Sequence, residues 1–336
     1  PGGLPRRITA NVRGARNLTL IARAHRFPMC HTVWVDPQLL ARKEQPTSML
    51  DPFGRANISL AETFPPTELC IATVGSVGFE SWIDDLFGSI RANGGCDDAQ
   101  LALFFYGDTT RAEKIAGAYD AWLIPCEQKK PLSGASKSVL YSAGHVLPAQ
   151  KFICLDADML VLESLQPLVG AMACQPKGSI FSCREAAWAD CLGTAIKTIY
   201  GGQSSDIGRL LCGFERNEAS NTLVINDGIF AGTVWAIRDL DQIMRSMVEA
   251  TAWIDEGVFW RAQFVCNLAL ASLGVGVELA PSFNAQLNCQ SVDVDLAHEK
   301  PRVTMDGNPV SILHFNGGGR NHHPELRGRY CSTPTQ

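Results

Sequence analysis

From residue 68 onward the chain alternates short, nearly unbroken apolar runs with segments of helical periodicity. Leu69-Cys70-Ile71-Ala72-Thr73-Val74 reads as a strand covered on both faces, because it lacks the polar alternation of a half-exposed one. It stops at Gly75. Between Phe79 and Arg91, Trp82, Ile83, Leu86 and Ile90 recur at helical spacing. Leu101–Tyr106 is a second buried strand, closed by Gly107-Asp108-Thr109-Thr110. A helix over 111–119 and a strand over 121–124 continue the order. Lys137–Val146 then predicts a helix and Phe152–Leu155 a short buried strand. This β-α-β-α order predicts an α/β domain with a Rossmann-like, mostly parallel central sheet flanked by helices. Ligands of such sheets bind at the carboxyl ends of the strands.

Phe64-Pro65-Pro66-Thr67 is a proline-rich break ahead of the first strong strand, and it divides the chain into an extension over 1–67, a main domain over 68–330 and a tail over 331–336. The charge is divided in the same way. Residues 1–60 hold nine basic residues against three acids, although the whole chain has a net charge of -5. The extension is therefore basic and the main domain acidic. Asn17–Ala22 and Thr32–Val35 have the pattern of short strands within the extension. The sequence pI of about 5.8 argues against nucleic acid as a partner. No apolar run approaches the length of about 18 residues that crosses a membrane, and no secretory signal is visible. The twelve cysteines contain no C-x-x-C pair, and several lie in apolar runs, where a free thiol acts as a small hydrophobe. The expected location is cytoplasmic, with contact at a membrane surface as the alternative.

The chemistry concentrates after the strand at 152–155. Asp156-Ala157-Asp158 leaves the sheet where ligands bind, and strand geometry continued through it would point both carboxylates the same way. Two such charges repel each other unless a cation lies between them. Two reactions use this arrangement. In haloacid-dehalogenase-type phosphatases the first Asp is a nucleophile, but the triplet follows the first strand and a Thr or Val stands two places after the second Asp. Here that place is Leu160, and three strands precede the triplet. The other reaction is metal-dependent glycosyl transfer, in which the carboxylates hold a divalent cation on a nucleotide-sugar diphosphate.

The downstream motifs favour transfer. Lys137 precedes Leu155-Asp156-Ala157-Asp158. Then follow Asn226-Asp227-Gly228-Ile229-Phe230, Gln263-Phe264-Val265-Cys266-Asn267, Leu279-Ala280-Pro281-Ser282-Phe283-Asn284 and His314-Phe315-Asn316-Gly317-Gly318-Gly319-Arg320. In this order and spacing the chain, over roughly residues 68–330, resembles glycosyltransferase family 8, which contains glycogenin and bacterial lipopolysaccharide galactosyltransferases. The resemblance implies a GT-A fold, a nucleotide-diphosphate sugar donor such as a UDP-sugar, a Mn²⁺ or Mg²⁺ ion, and retention of anomeric configuration. It implies that Lys137 is the family's basic residue, that Asn226 and Gly228 line the donor sugar, and that Asp156 is shared with the ribose. Departures are Ala262 and Phe264, where the family carries acids beside the helix glutamine, and Arg320 in place of a lysine.

The residues themselves carry a matching chemistry. His314 closes the apolar strand Val310–Leu313 and joins Asp156 and Asp158 as a metal ligand set. Gly317-Gly318-Gly319 lets backbone N–H groups approach phosphate, and Arg320 adds a fixed charge there. Asn226 and Asp227 follow the buried strand Leu223-Val224-Ile225 and point into the same mouth of the sheet, the alternative being that Asp227-Gly228 is only a turn. Trp260, Gln263 and Asn267 share one helix face. The expected site therefore has Gln263 and Asp227 as catalytic candidates. Thr73, Val74, Gly75, Lys137, Asp156, Ala157, Asn226, Gly228, Gly317 and Arg320 line the donor, and Asp156, Asp158 and His314 hold metal. The acceptor is open. The missing acid at Ala262 keeps a second reading in view, a nucleotide-sugar-binding module without turnover.

Overall fold

The computed structural model describes residues 48–60, 64–129, 136–186, 192, 223–251, 261–298, 300–321 and 324–330. The strands expected over 17–22 and 32–35, Trp260 and the tail lie outside these residues.

The described chain runs β1 (Ser48–Leu50), β2 (Ala56–Ser59), β3 (Thr67–Ser76), α1 (Glu80–Asn93), β4 (Gln100–Tyr106), α2 (Thr110–Ala118) and β5 (Trp122–Gln128). A 3₁₀ stretch over Ser136–Ser142 leads into α3 (Ala143–Val146), β6 (Ala149–Asp156), β7 (Met159–Val161), α4 (Gln166–Cys174) and β8 (Ile180–Arg184). Next come β9 (Ile225–Thr233), α5 (Val234–Ala250), α6 (Arg261–Leu273), β10 (Gly276–Glu278), β11 (Ala285–Gln286), β12 (Asp293–Asp295), β13 (Arg302–Met305), β14 (Asn308–Pro309) and β15 (Ile312–His314).

Among these residues the central sheet has nine strands in the order β1-β2-β5-β4-β3-β6-β9-β8-β10. Its middle is parallel from β5 through β6, as the apolar runs require, and β9 is the antiparallel member between β6 and β8. The sheet begins before residue 68. Ala56 and Ile58 of β2 are fully buried against the same core, and β2 pairs with the outer edge of β5.

Alternate residues of each central strand feed two apolar layers. Cys70, Ala72, Phe104, Phe152 and Phe230 face one side, where Tyr141, Ile237, Leu240, Met244 and Phe264 cover them. Ile71, Leu103, Phe105, Ile153 and Ile229 face the other, under Ile83, Leu86 and Phe87 of α1 and Leu168 and Met172 of α4. A third cluster, with Leu160, Leu313, Phe315 and Tyr330, lies around a small sheet ordered β11-β15-β7. Lys137–Val146, expected as one helix, is 3₁₀ until Ser142 and α-helical only over its last turn.

None of the described cysteines forms a disulfide, and no helix among the described residues is long and apolar enough to cross a membrane.

Candidate active site

Asp156 is the last residue of β6. Asp158 sits in a tight turn that redirects the chain into β7, so strand geometry does not continue through the triplet. The carboxylates still converge because of the small sheet. β15 pairs antiparallel with β7, setting His314 opposite Met159, and the Phe315 N–H donates to the Asp158 carbonyl at 2.9 Å. His314 Nε2 consequently lies 3.4 Å from Asp158 Oδ1 and 3.7 Å from Asp156 Oδ2. One ligand atom from each of the three residues falls within 4.8 Å of the others.

Gly228 makes room for this arrangement. A Cβ there would stand 2.6 Å from His314 Cε1 and 2.8 Å from both Asn226 Oδ1 and Met159 Cε.

β9 supplies the facing wall. Because it is antiparallel to β6, it enters the sheet at the edge where β6 leaves, and Ile229 is already opposite Leu155. Asn226 and Asp227 are therefore the second and third residues of a strand. The run 223–225 does not end there and Asp227-Gly228 is not a turn. Neighbouring strand positions send their side chains apart. Asp227 receives the Tyr141 hydroxyl at 2.5 Å and pairs with Lys137 Nζ at 2.5 Å, while Lys137 also reaches Asp156 at 3.1 Å. Asn226 Nδ2 donates to Glu185 at 2.9 Å.

Charge is distributed unequally over the ligands. Burial opposes the charge of Lys137, but Asp156 and Asp227 outweigh it and hold the ammonium above its ordinary pKa. Burial pushes Asp156 up, with Lys137 and His314 only partly offsetting it. Asp158 is also buried, but the charged form of His314, which donates through Nε2–H, and Arg320 bring it down to about 2. Arg320 grips Asp158 Oδ2 through Nη2 at 2.8 Å and Nε at 2.9 Å, with its guanidinium 5.1 Å from the centre of the Phe79 ring.

Other expected residues are placed as follows. Gln263 is buried in α6, and its Nε2 donates to Glu185 at 2.7 Å and to the Ile225 carbonyl at 3.1 Å. Its helix neighbour Asn267 is spent on the backbone N–H and carbonyl of Ile225. Thr73 donates its hydroxyl to the Leu155 carbonyl at 2.8 Å, and Val74 packs in the core. A Cβ on Gly75 would meet Ile83 Cδ1 at 2.5 Å, so this glycine lets α1 close on β3. Ala157 is buried within the turn. Gly317, at φ +53°, opens a 3₁₀ turn that carries Gly318, Gly319 and Arg320.

Sequence reasoning missed Glu185, Tyr141, Asn284 and Gln286. Asn284 closes the segment 279–284, and its Oδ1 lies 2.9 Å from His314 Nδ1. Glu185 leaves β8 beside Asn226 and is 3% exposed. Nothing local marks it, because its partners come from β9 and α6.

Three carboxylates, Asp156, Asp158 and Asp227, thus gather around two cations, Lys137 and Arg320. Two carboxylates and an imidazole are a fitting donor set for a divalent ion such as Mn²⁺, and the local excess of negative charge calls for one.

The sheet order, the strand-exit carboxylates and the histidine strand beside them define a GT-A glycosyltransferase fold. Solved structures that share it include two glycosyltransferases. One is the galactosyltransferase LgtC in complex with donor and acceptor sugar analogs, 14% identical, TM-score 0.51, with 79% of this chain and 97% of that one covered. The other is the bifunctional glycosyltransferase WbbM in its apo form, 9% identical, TM-score 0.51, with 81% of this chain and 53% of that one covered. No protein-family profile matches the sequence, and no curated protein is significantly similar to it.

Proposed function

We propose that this chain is a metal-dependent glycosyltransferase, moving a sugar from a nucleotide-diphosphate donor, a UDP-sugar, to an acceptor hydroxyl with retention of configuration. The observation that carries this reading is the cluster of Asp156, Asp158 and His314 at the carboxyl edge of a GT-A sheet. LgtC, which shares the fold, is a galactosyltransferase bound to donor and acceptor sugar analogs, and that supports a sugar donor here.

Asp156, Asp158 and His314 would hold Mn²⁺ or Mg²⁺, which supplies charge neutralisation for the departing diphosphate. Arg320, 44% exposed, is free to exchange Asp158 for a phosphate oxygen with bidentate geometry. Lys137 pairs with Asp156 and Asp227 and holds them in place, and its remaining field favours the diphosphate. Asn226 and Gly228 shape the floor under the sugar. Gln263 has both amide hydrogens engaged, so its Oε1 meets the anomeric centre and stabilises positive charge there. Asp227, clamped by Tyr141 and Lys137, is the candidate carboxylate for a covalent step. We place the protein in the cytoplasm, where the thiols of Cys70, Cys154 and Cys266 in the core stay reduced.

The test is release of nucleoside diphosphate from a panel of UDP-sugars and acceptors with Mn²⁺, comparing wild type with Asp158→Ala. Turnover in wild type and its loss in the variant are expected. Donor binding without turnover over the whole panel would leave a binding module. Hydrolysis of p-nitrophenyl phosphate would instead return the phosphatase reading.

A further inference from the structure

The side-chain amides around the site form one directed network, and its direction is set by the Glu185 carboxylate together with the Gly228 N–H. A carboxylate only accepts hydrogen bonds. Glu185 Oε2 receives Gln263 Nε2 at 2.7 Å and Asn226 Nδ2 at 2.9 Å. With its nitrogen held there, Asn226 turns its Oδ1 the other way. That oxygen accepts from the Gly228 N–H at 2.9 Å and from Asn284 Nδ2 at 3.0 Å. Asn284 is then left with Oδ1 facing His314 Nδ1 at 2.9 Å. An oxygen acceptor requires a donor, so the neutral imidazole carries its proton on Nδ1. Its lone pair lies on Nε2, the nitrogen facing Asp156 and Asp158. Two carboxylates on their own would draw a proton onto Nε2. The network imposes the opposite tautomer, the one that offers a lone pair to a cation.

We infer that Glu185 is a positioning residue. Together with the Gly228 N–H it fixes the His314 tautomer through Asn226 and Asn284, and it aims Gln263 so that Oε1 faces the donor. Every link is a buried hydrogen bond between residues of different elements. Glu185 follows β8, Asn226 lies on β9, Asn284 ends the 3₁₀ turn Pro281–Asn284 and His314 ends β15. The purpose given to the tautomer rests on the metal-dependent reading above. The tautomer itself is a property of the protein alone.

The experiment reads it without metal or donor. Protein labelled with ¹⁵N-histidine is examined by long-range ¹⁵N–¹H correlation at a pH where imidazole is neutral, with His314 located from the spectrum of His314→Gln. Wild type should carry the proton on Nδ1. Glu185→Gln, whose amide can also donate, should shift His314 toward the Nε2–H form. Asn284→Asp still accepts from Nδ1 and should retain the wild-type form. Mg²⁺ affinity of Glu185→Gln, read by calorimetry, should fall by about 10- to 100-fold, the usual cost of disturbing a ligand's supporting partner. An Nε2–H proton in wild type would overturn the proposal whether or not any variant folds. So would an unchanged Nδ1–H form in folded Glu185→Gln. Transferase activity alongside an Nε2–H tautomer would reject the network's role and keep the function; an Nδ1–H tautomer without turnover would do the reverse.

Discussion

The two halves of the central sheet bury different things. In the parallel half, β4, β3 and β6 bury Leu103, Phe104, Ile71 and Ile153, and their polar groups are mostly backbone in the ladder. In the antiparallel half, β8 and β9 bury Ser182, Asn226 and Asp227 inside the strands, with Glu185 directly after β8 and Gln263 and Asn267 behind them on α6. The parallel half contributes chemistry only where it ends, at Asp156. The antiparallel half contributes it where β9 begins, because reversing one strand brings its start to the edge where its neighbours finish. The site is thus an exit paired with an entry. Scaffold and chemistry are separable to the extent that the parallel half can be damaged without changing the ligand set.

The largest effect should come from the scaffold side. Phe104 is fully buried in β4, and Phe104→Ala should lower unfolding free energy by about 3–5 kcal/mol through lost burial and the remaining cavity. Urea unfolding measures this, and Mn²⁺ affinity of the folded fraction should stay at the wild-type value. A parallel fall in metal affinity would mean that the halves are coupled and the separation fails.

On the chemical side, Asp158→Asn should weaken Mn²⁺-dependent donor binding by more than about 100-fold, exceeding the range usual for a supporting partner. It removes a metal ligand together with the anchor of Arg320 and a neighbour of His314. Calorimetry that gave the wild-type affinity would remove Asp158 from the metal site.

A smaller effect separates the two carboxylates by pH in metal-free protein. Asp158 is held at about 2 against an ordinary 3.8, so its stabilisation is complete above pH ~4 and is lost as pH falls toward 2. The shift corresponds to about 2 kcal/mol. Asp156 has the opposite sign. Its raised pKa means that the folded protein takes up a proton before the unfolded chain does, so stability rises as Asp156 protonates. Urea unfolding in EDTA at stepped pH should therefore show a rise before the fall, and Asp158→Asn should lack the fall. A fall that persists in Asp158→Asn belongs to other groups.

The same contrast explains what could be read from the sequence. The parallel strands announce themselves because a strand covered on both faces must be apolar throughout, as Leu101–Tyr106 is. The pair at 156 and 158 is legible because charge directly after such a run is costly without a purpose, and His314 is legible because it closes another. Glu185 is not, since its reason for being buried lies 41 residues away at Asn226 and 78 away at Gln263. Asn226 and Asp227 are legible as site residues but read as following a strand instead of lying inside one, because polar side chains look like an ending when their partners are unknown. Lys137 reads from the sequence as a basic residue lining the donor, and its ion pairs with Asp156 and Asp227 belong to the tertiary structure alone.

The smallest effect tests the boundary between the halves at a residue expected to touch the donor. Thr73 lies near the end of β3, and its hydroxyl donates to the Leu155 carbonyl on the neighbouring strand. Thr73→Val keeps the shape and removes this one bond, so it should cost about 1 kcal/mol of stability, the usual net worth of a buried hydrogen bond. Donor affinity should be unchanged, because the hydroxyl is already spent within the sheet. A drop in UDP-sugar affinity at constant stability would show the reverse. The hydroxyl would then belong to the donor, and the parallel half would contribute to recognition one full turn of the pleat before its carboxyl end.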